Sequence, residues 1–349
     1  MTNQTSLEQW KQLFDVAKQL KEQSPWTWML DSHLFGVQDP VSSNIAYCCV
    51  LGNLGEVLGI AAYLGTTGLE TFIQIQQGAI GMDPEELLFI QDCLMMSFDD
   101  RDLLDKNELA TIKKLGLKFR GRQSWPTFKR YEPGFVPWPV NAQEAQFLLY
   151  IIEQTMVVAQ QLRENPKYLE PPKKKLWQRL TLTERYLTRV PIQTGDSLSW
   201  KDEWLAPPPS PKQSSSLGTI NEVQLERISK LPIKRGGTWE IDYFHTHAAL
   251  RDADKPYFPI IGLVVESQSA MVIAPVICKP DQIGTQLVGE LFKIAEEHRV
   301  LPQTINVLRP ELQEFLSPVG KKLSVNIKTV RRLPGLEMAR DFMRQMPGF

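Results

Sequence analysis

The sequence predicts an α+β N-terminal domain joined to an α/β C-terminal domain built on a mixed sheet. Three observations carry that expectation. Apolar runs of strand length alternate with longer stretches whose apolar residues recur at helical spacing. Several of those stretches open on a capping residue followed three positions later by an acid. A tract of proline, serine and glutamine, Pro207-Pro208-Pro209-Ser210-Pro211 running into Gln213-Ser214-Ser215-Ser216, divides the pattern in two. Such a composition buries too little apolar surface to order itself.

The first domain is expected over residues 1–165. Leu7, Trp10, Leu13, Phe14, Ala17 and Leu20 mark a helix over 6–23, with Thr5 and Glu8 spaced as a capping box. Ile45 to Leu51 and Leu58 to Leu64 flank the glycine-punctuated Gly52-Asn53-Leu54-Gly55-Glu56 and read as a hairpin. Helices follow from Thr67 to Gln77 and from Asp83-Pro84-Glu85-Glu86, where proline takes the first helical position. Leu94 to Phe98 reads as a strand, Asp105 to Leu115 as a helix closed by Gly116, and Asn141 to about Arg163 as a long helix with Glu144 completing its cap. Residues 166–218 are expected as a partly ordered Pro/Lys/Ser-rich connector, carrying a hairpin over 186–204 around Thr194-Gly195-Asp196.

The second domain is expected over 219–349. Trp239 to Phe244 alternates as a strand and carries Glu240 and Asp242. Ile260 to Val265 is an unbroken apolar run, suited to a central strand buried on both faces. A polar turn, Glu266-Ser267-Gln268-Ser269, leads to a third strand, Met271 to Ala274, then a helix, a fourth strand (Thr304 to Leu308), a short helix and a fifth strand (Leu323 to Val330). Pro275 at the end of the third strand marks it as an edge, where a missing N–H is tolerated.

At 349 residues the chain is long enough for about two cores. A net charge of −1 argues against whole-protein attraction to nucleic acid or an anionic membrane, leaving only local patches. No basic-then-apolar leader opens the sequence, and no apolar run approaches the ~18 residues of a membrane-spanning helix. The four cysteines, at 48, 49, 93 and 278, form no Cys-x-x-Cys pair and read as reduced thiols of a cytoplasmic protein. Cys48 and Cys49, neighbours on a strand, point to opposite faces.

The strand and helix order of the second domain resembles the RNase H-like core of retroviral-type integrases and transposases, which implies a mixed sheet of order 3-2-1-4-5. Those enzymes hold two divalent metals with an acid on the first strand and another at the end of the fourth. Asp242 matches the first acid, and the second position is Leu308. The chain as a whole is similar to an uncharacterised bacterial family built from two domains of unknown function. The phrases that carry this likeness include Leu34-Phe35-Gly36-Val37, Gly52-Asn53-Leu54-Gly55-Glu56, Leu115-Gly116-Leu117-Lys118-Phe119-Arg120-Gly121, Pro133-Gly134-Phe135-Val136-Pro137-Trp138, Trp239-Glu240-Ile241-Asp242 and Pro256-Tyr257-Phe258-Pro259. Glu266 stands where such sequences often carry Asp, and Ala270 where the turn often has Gly.

Four groups of residues invite chemistry. Two-metal phosphoryl transfer needs several converging carboxylates; Asp242 could draw on Glu240 and on Glu337 or Asp341 of the last helix, with Mg as the only cofactor that reading implies. His245 and His247 share a strand face at a spacing used by metal sites, with a third ligand left to Asp252, Asp254, Glu266 or His298. Asp99, Asp100, Asp102 and Asp105 have the density of a calcium loop, yet Leu104 and Asp105 fall where an oxygen ligand and glycine are needed, and Asp105 reads better as a helix cap with Glu108. Lys118, Arg120, Arg122, Lys129 and Arg130 are interleaved with Phe119, Trp125 and Phe128, a mixture that suits phosphate contact with base stacking, or equally a packed segment with a solvated basic rim.

Three readings result. The first is a non-enzymatic cytoplasmic protein, without cofactor, that binds a protein partner through either domain. The second is a metal-dependent nuclease with Asp242, Glu240 and Glu337. The third is a module for RNA or single-stranded nucleic acid built on Lys118 to Arg130.

Overall fold

A computed structural model of the chain describes residues 4–53, 55–78, 87–171, 180–209, 217–246, 248–251 and 255–344. The helix start expected at Asp83–Glu86, the Lys173–Lys175 run, residues 210–216 of the Pro/Ser tract, Asp252, Asp254 and His247 lie outside those residues. The chain divides into two units. One comprises Met1–Pro133 with Pro137–Ser210, the other Gly134–Val136 with Pro211–Phe349.

The first unit opens with helix α1 (Leu7–Gln23). Its cap is Ser6, not Thr5: the Ser6 hydroxyl accepts from the Gln9 amide at 3.2 Å, and the Gln9 side chain accepts from the Ser6 amide at 3.0 Å. Thr5 instead donates its hydroxyl to the carbonyl of Val140. Strands β1 (Phe35–Gln38), β2 (Ile45–Leu51) and β3 (Leu58–Leu64) precede helix α2 (Gly65–Gln76). Strand β4 (Cys93–Asp99), helix α3 (Lys106–Lys114), strands β5 (Trp125–Tyr131) and β6 (Trp138–Pro139) and helix α4 (Ala142–Glu164) follow. The other two expected capping boxes are present, Asp105 with Glu108 at α3 and Asn141 with Glu144 at α4.

Strands β7 (Tyr186–Thr194) and β8 (Ser197–Leu205) complete an eight-stranded sheet of order β6-β5-β4-β3-β2-β1-β7-β8. The hairpin assigned from sequence to the connector therefore belongs to the first unit, and that unit extends past residue 165 to about Ser210. The cause is non-local. β7 joins β1 in parallel, the one parallel pair of this sheet among the described residues, and Tyr186 packs edge-on against Tyr47 at 5.6 Å. Local composition carries no trace of that partner.

Strand alternation sorts the two faces. Ala46, Cys48 and Val50 share a core with Leu13 and Phe14 of α1 and Leu148 and Ile151 of α4. Tyr47 and Cys49 turn to the other face, with Leu69 and Phe72 of α2. Coverage on both sides is what makes β2 a continuous apolar run.

The second unit contains helix α5 (Glu222–Ser229) and strands β9 (Lys234–Arg235), β10 (Thr238–His245), β11 (Ile260–Glu266) and β12 (Val272–Cys278). Helix α6 (Ile283–His298), strands β13 (Val300–Leu301) and β14 (Thr304–Val307), helix α7 (Pro310–Leu323), strand β15 (Asn326–Thr329) and helix α8 (Pro334–Arg344) complete it. Five strands form a sheet of order β12-β11-β10-β14-β15, and β9 pairs with β13 apart from it. β10, β11 and β12 are antiparallel, whereas β14 runs parallel to both β10 and β15. Ile241 and Val264 share a core with Leu287 and Leu291 of α6 and Leu316 of α7. Ile261 and Leu263 pack on the opposite face with Leu336 and Ala339 of α8. Pro275 lies within β12 opposite Leu263, not at its end, because the strand runs on to Cys278. β12 is an edge, so the proline can turn its missing donor to solvent.

Gly134–Val136 enters this unit as a short extended piece. The Phe258 amide donates to the Gly134 carbonyl at 2.8 Å, and the Val136 amide to the Pro256 carbonyl at 3.1 Å. Gly134 has φ +79°, and a Cβ there would stand 2.5 Å from the Pro280 ring, so the position admits glycine alone.

Candidate functional site

β10 places Glu240 and Asp242 on one face, two residues apart, with 1% and 2% of their surface exposed. Buried carboxylates need donors or a counter-charge, and each of these has its own. The Ser267 hydroxyl donates to Glu240 Oε1 at 2.7 Å and the Leu336 amide to Oε2 at 2.8 Å. Leu336 lies in the first turn of α8, where backbone N–H groups have no partner within the helix and the helix dipole favours an anion. Glu240 thus pins α8 to the sheet.

Asp242 is matched by Arg309, which follows Leu308 between β14 and α7. Arg309 Nε donates to Asp242 Oδ1 at 2.9 Å, and Nη2 donates to the Tyr243 carbonyl at 3.2 Å. The guanidinium also lies over the Tyr243 ring, 4.5 Å from its centre, within cation–π range. The Arg309 side chain is 40% exposed and that of Asp242 3%, so the cation closes the site from its open side. Burial works against the Arg309 charge, but Asp242, Tyr243 and Glu311 outweigh it and hold its pKa above the ordinary value. Burial pushes the Tyr243 phenol up to about 12. It also lowers His245 to about 4, with Arg309 adding to the effect and a hydrogen bond with the Phe258 backbone opposing it.

The nuclease reading needs a carboxylate set that this arrangement does not assemble. The donor set does not fit a divalent ion, because Asp242 already faces a tethered cation. Glu337 bonds with Arg332, whose Nη2 donates at 2.5 Å and Nε at 3.3 Å. Leu308 packs at the margin of the apolar cluster that holds Leu263 and Leu336. Among the described residues no group of three or more His, Cys, Asp or Glu could hold a metal. Arg309 escaped the sequence reading, although its place beside the missing acid was the available signal.

Residues 10–180 match the model of a domain of unknown function, DUF7309, and residues 224–344 match that of a second, DUF6930. The chain belongs to an uncharacterised two-domain family. No curated protein matches it. Among solved structures it is similar to a chain of the simian T-cell lymphotropic virus intasome in complex with PP2A regulatory subunit B56 gamma, at 17% identity and TM-score 0.21, over 34% of this chain and 45% of that one. It therefore spans less than half the length of that neighbour. It is also similar to the HTLV-2 integrase catalytic core domain in complex with magnesium, at 18% identity and TM-score 0.20, over 33% of this chain and 76% of that one.

Two phrases that carry the family likeness meet in the structure, Pro133–Trp138 and Pro256–Pro259, through the bonds of Gly134 and Val136. In this member of the family the turn after β11 is closed by Glu266, whose Oε2 accepts from the amides of Gln268 at 3.1 Å and Ser269 at 2.7 Å. Ala270 in that turn has φ +54°, a left-handed conformation that glycine adopts without penalty.

The basic segment divides. Lys118, Arg120 and Arg122 are exposed. Arg122 approaches Asp100 at 3.5 Å, Lys129 pairs with Glu108 at 3.5 Å, and Arg130 meets Asp92 at 2.5 Å and Glu144 at 3.4 Å. Phe128 is buried and packs edge-on against Phe14 at 5.3 Å, while Phe119 and Trp125 lean on the same core. Their ring faces serve the fold, so the structure does not bring the five cations and three rings together as one stacking groove.

Proposed function

We propose that this protein is a non-enzymatic binding protein, acting on a protein partner, whose C-terminal unit is an RNase H-like fold with its metal site converted into an internal ion pair. The carrying observation is the Asp242–Arg309 bond. A guanidinium fixed on the chain supplies the positive charge that a divalent ion would bring, and it leaves no open coordination position for an attacking or leaving oxygen. The strand order supports the fold reading: counted along the chain from β10, the sheet runs 3-2-1-4-5, with the first three strands antiparallel and the rest parallel. A cytoplasmic setting is part of the proposal, supported by the buried free thiols of Cys48, Cys49 and Cys93. No helix of the described residues is long and apolar enough to cross a membrane.

The test is purified protein with Mg²⁺ or Mn²⁺ and DNA, RNA and hybrid substrates. The expected result is no cleavage above background. Cleavage that disappears in Asp242→Asn while the circular dichroism spectrum is retained would overturn the proposal in favour of the nuclease.

A further inference from the structure

The first unit contains a cavity of about 320 Å³ where the end of α4, the approach to β7 and the end of β8 come together. That volume falls at the lower end of the range of small-molecule sites. Leu162, Leu169, Leu180 and Trp204 contribute apolar wall, and Glu170, Glu184 and His33 contribute polar groups. Glu184 Oε1 is shut off from solvent and accepts no hydrogen bond among the described residues. A buried carboxylate oxygen without a donor carries a desolvation cost that an incoming N–H would recover.

The Tyr186 hydroxyl donates to the Thr181 carbonyl at 2.9 Å. His33 Nδ1 accepts from the Leu30 amide at 3.0 Å, so the neutral ring carries its proton on Nε2. Arg185 and Glu170 line the cavity as exposed residues of opposite charge, so the carboxylate oxygen held away from solvent is that of Glu184. The apolar wall favours a ligand with a compact hydrocarbon body, and the orphaned carboxylate oxygen favours one with a positively charged donor.

We propose that this cavity binds a small organic ammonium ion, its nitrogen donating to Glu184 and its apolar body lying against Leu162, Leu169 and Trp204. The site lies in the first unit and does not depend on the reading of Asp242.

The test uses the full chain with phenethylamine as probe and 2-phenylethanol, of the same shape but uncharged, as control, read by thermal shift and titration calorimetry. Phenethylamine is expected to bind saturably and raise Tm, with the alcohol at least about tenfold weaker, as loss of a charge-assisted bond dictates. Glu184→Gln keeps the shape of the side chain, so the variant should fold and lose that preference. Equal binding of amine and alcohol, unchanged amine binding by Glu184→Gln, or no binding of phenethylamine to the parent would each overturn the proposal.

Discussion

Arg309 Nε stands 2.9 Å from Asp242 Oδ1, and the aspartate behind it is almost completely buried. Removing the cation strands a charge in a low-dielectric site, which costs several kcal/mol when both partners are buried. The half-exposed arginine reduces that figure, since water reaches the vacated space. Arg309→Ala is expected to destabilise the second unit by about 2–3 kcal/mol in urea unfolding. Adding Asp242→Asn to that variant should restore part of the loss. If the double variant is no more stable than Arg309→Ala alone, Asp242 is not the charge that Arg309 neutralises.

Glu240 makes a second prediction. Glu240→Gln keeps an acceptor but loses the charge facing the first turn of α8, and about 1 kcal/mol of stability is expected to go with it. Glu240→Ala leaves the Leu336 amide and the Ser267 hydroxyl without their acceptor and should cost about 2–3 kcal/mol. Hydrogen exchange should localise the effect: amides of α8 speed up while those of β2 and β3 do not. Uniform acceleration across both units would refute the pinning role.

The contrast between these residues and the hairpin at 186–205 shows what a sequence discloses. Capping at Asp105 and Asn141 was legible because donor and acceptor lie three residues apart. The strands around Asp242 were legible from their alternation and apolar runs. The partner of Asp242 was not, because Arg309 is 67 residues away and its role exists only once β14 lies beside β10. β5 went unread for another reason. Its proline, cations and aromatics look irregular along the chain, yet Phe128 fills the core while Lys129 and Arg130 are neutralised by acids from distant segments.

Ala270 offers a test in the stabilising direction. A left-handed φ costs a residue with a Cβ about 1 kcal/mol, part of which glycine returns as extra freedom of the unfolded chain. Ala270→Gly should therefore raise stability by up to about 1 kcal/mol, read as a higher urea midpoint at unchanged slope. A lower midpoint would mean that the Glu266 turn, not the backbone of residue 270, sets the conformation.

His245 sets an acid limit. Its pKa falls from an ordinary 6.5 to about 4 on folding, so between these values the unfolded chain binds the extra proton. Stability then falls as pH drops from about 6.5 to about 4, levels off below that, and is complete above 6.5. The slope should amount to about 1–3 kcal/mol over that window. His245→Gln, which cannot titrate there, should flatten it. An equal slope in that variant would assign the acid sensitivity to other groups.

Gly134, Phe135 and Val136 are numbered among the residues of one unit and bonded among those of the other. A gene segment encoding 211–349 is therefore an incomplete blueprint, since it leaves behind a piece that the Pro256–Phe258 backbone is shaped to receive. Recombination that transplanted the C-terminal half into another protein would have to bring a Pro-Gly-Phe-Val-Pro stretch with it. That requirement ties the inheritance of two distant stretches of sequence to each other.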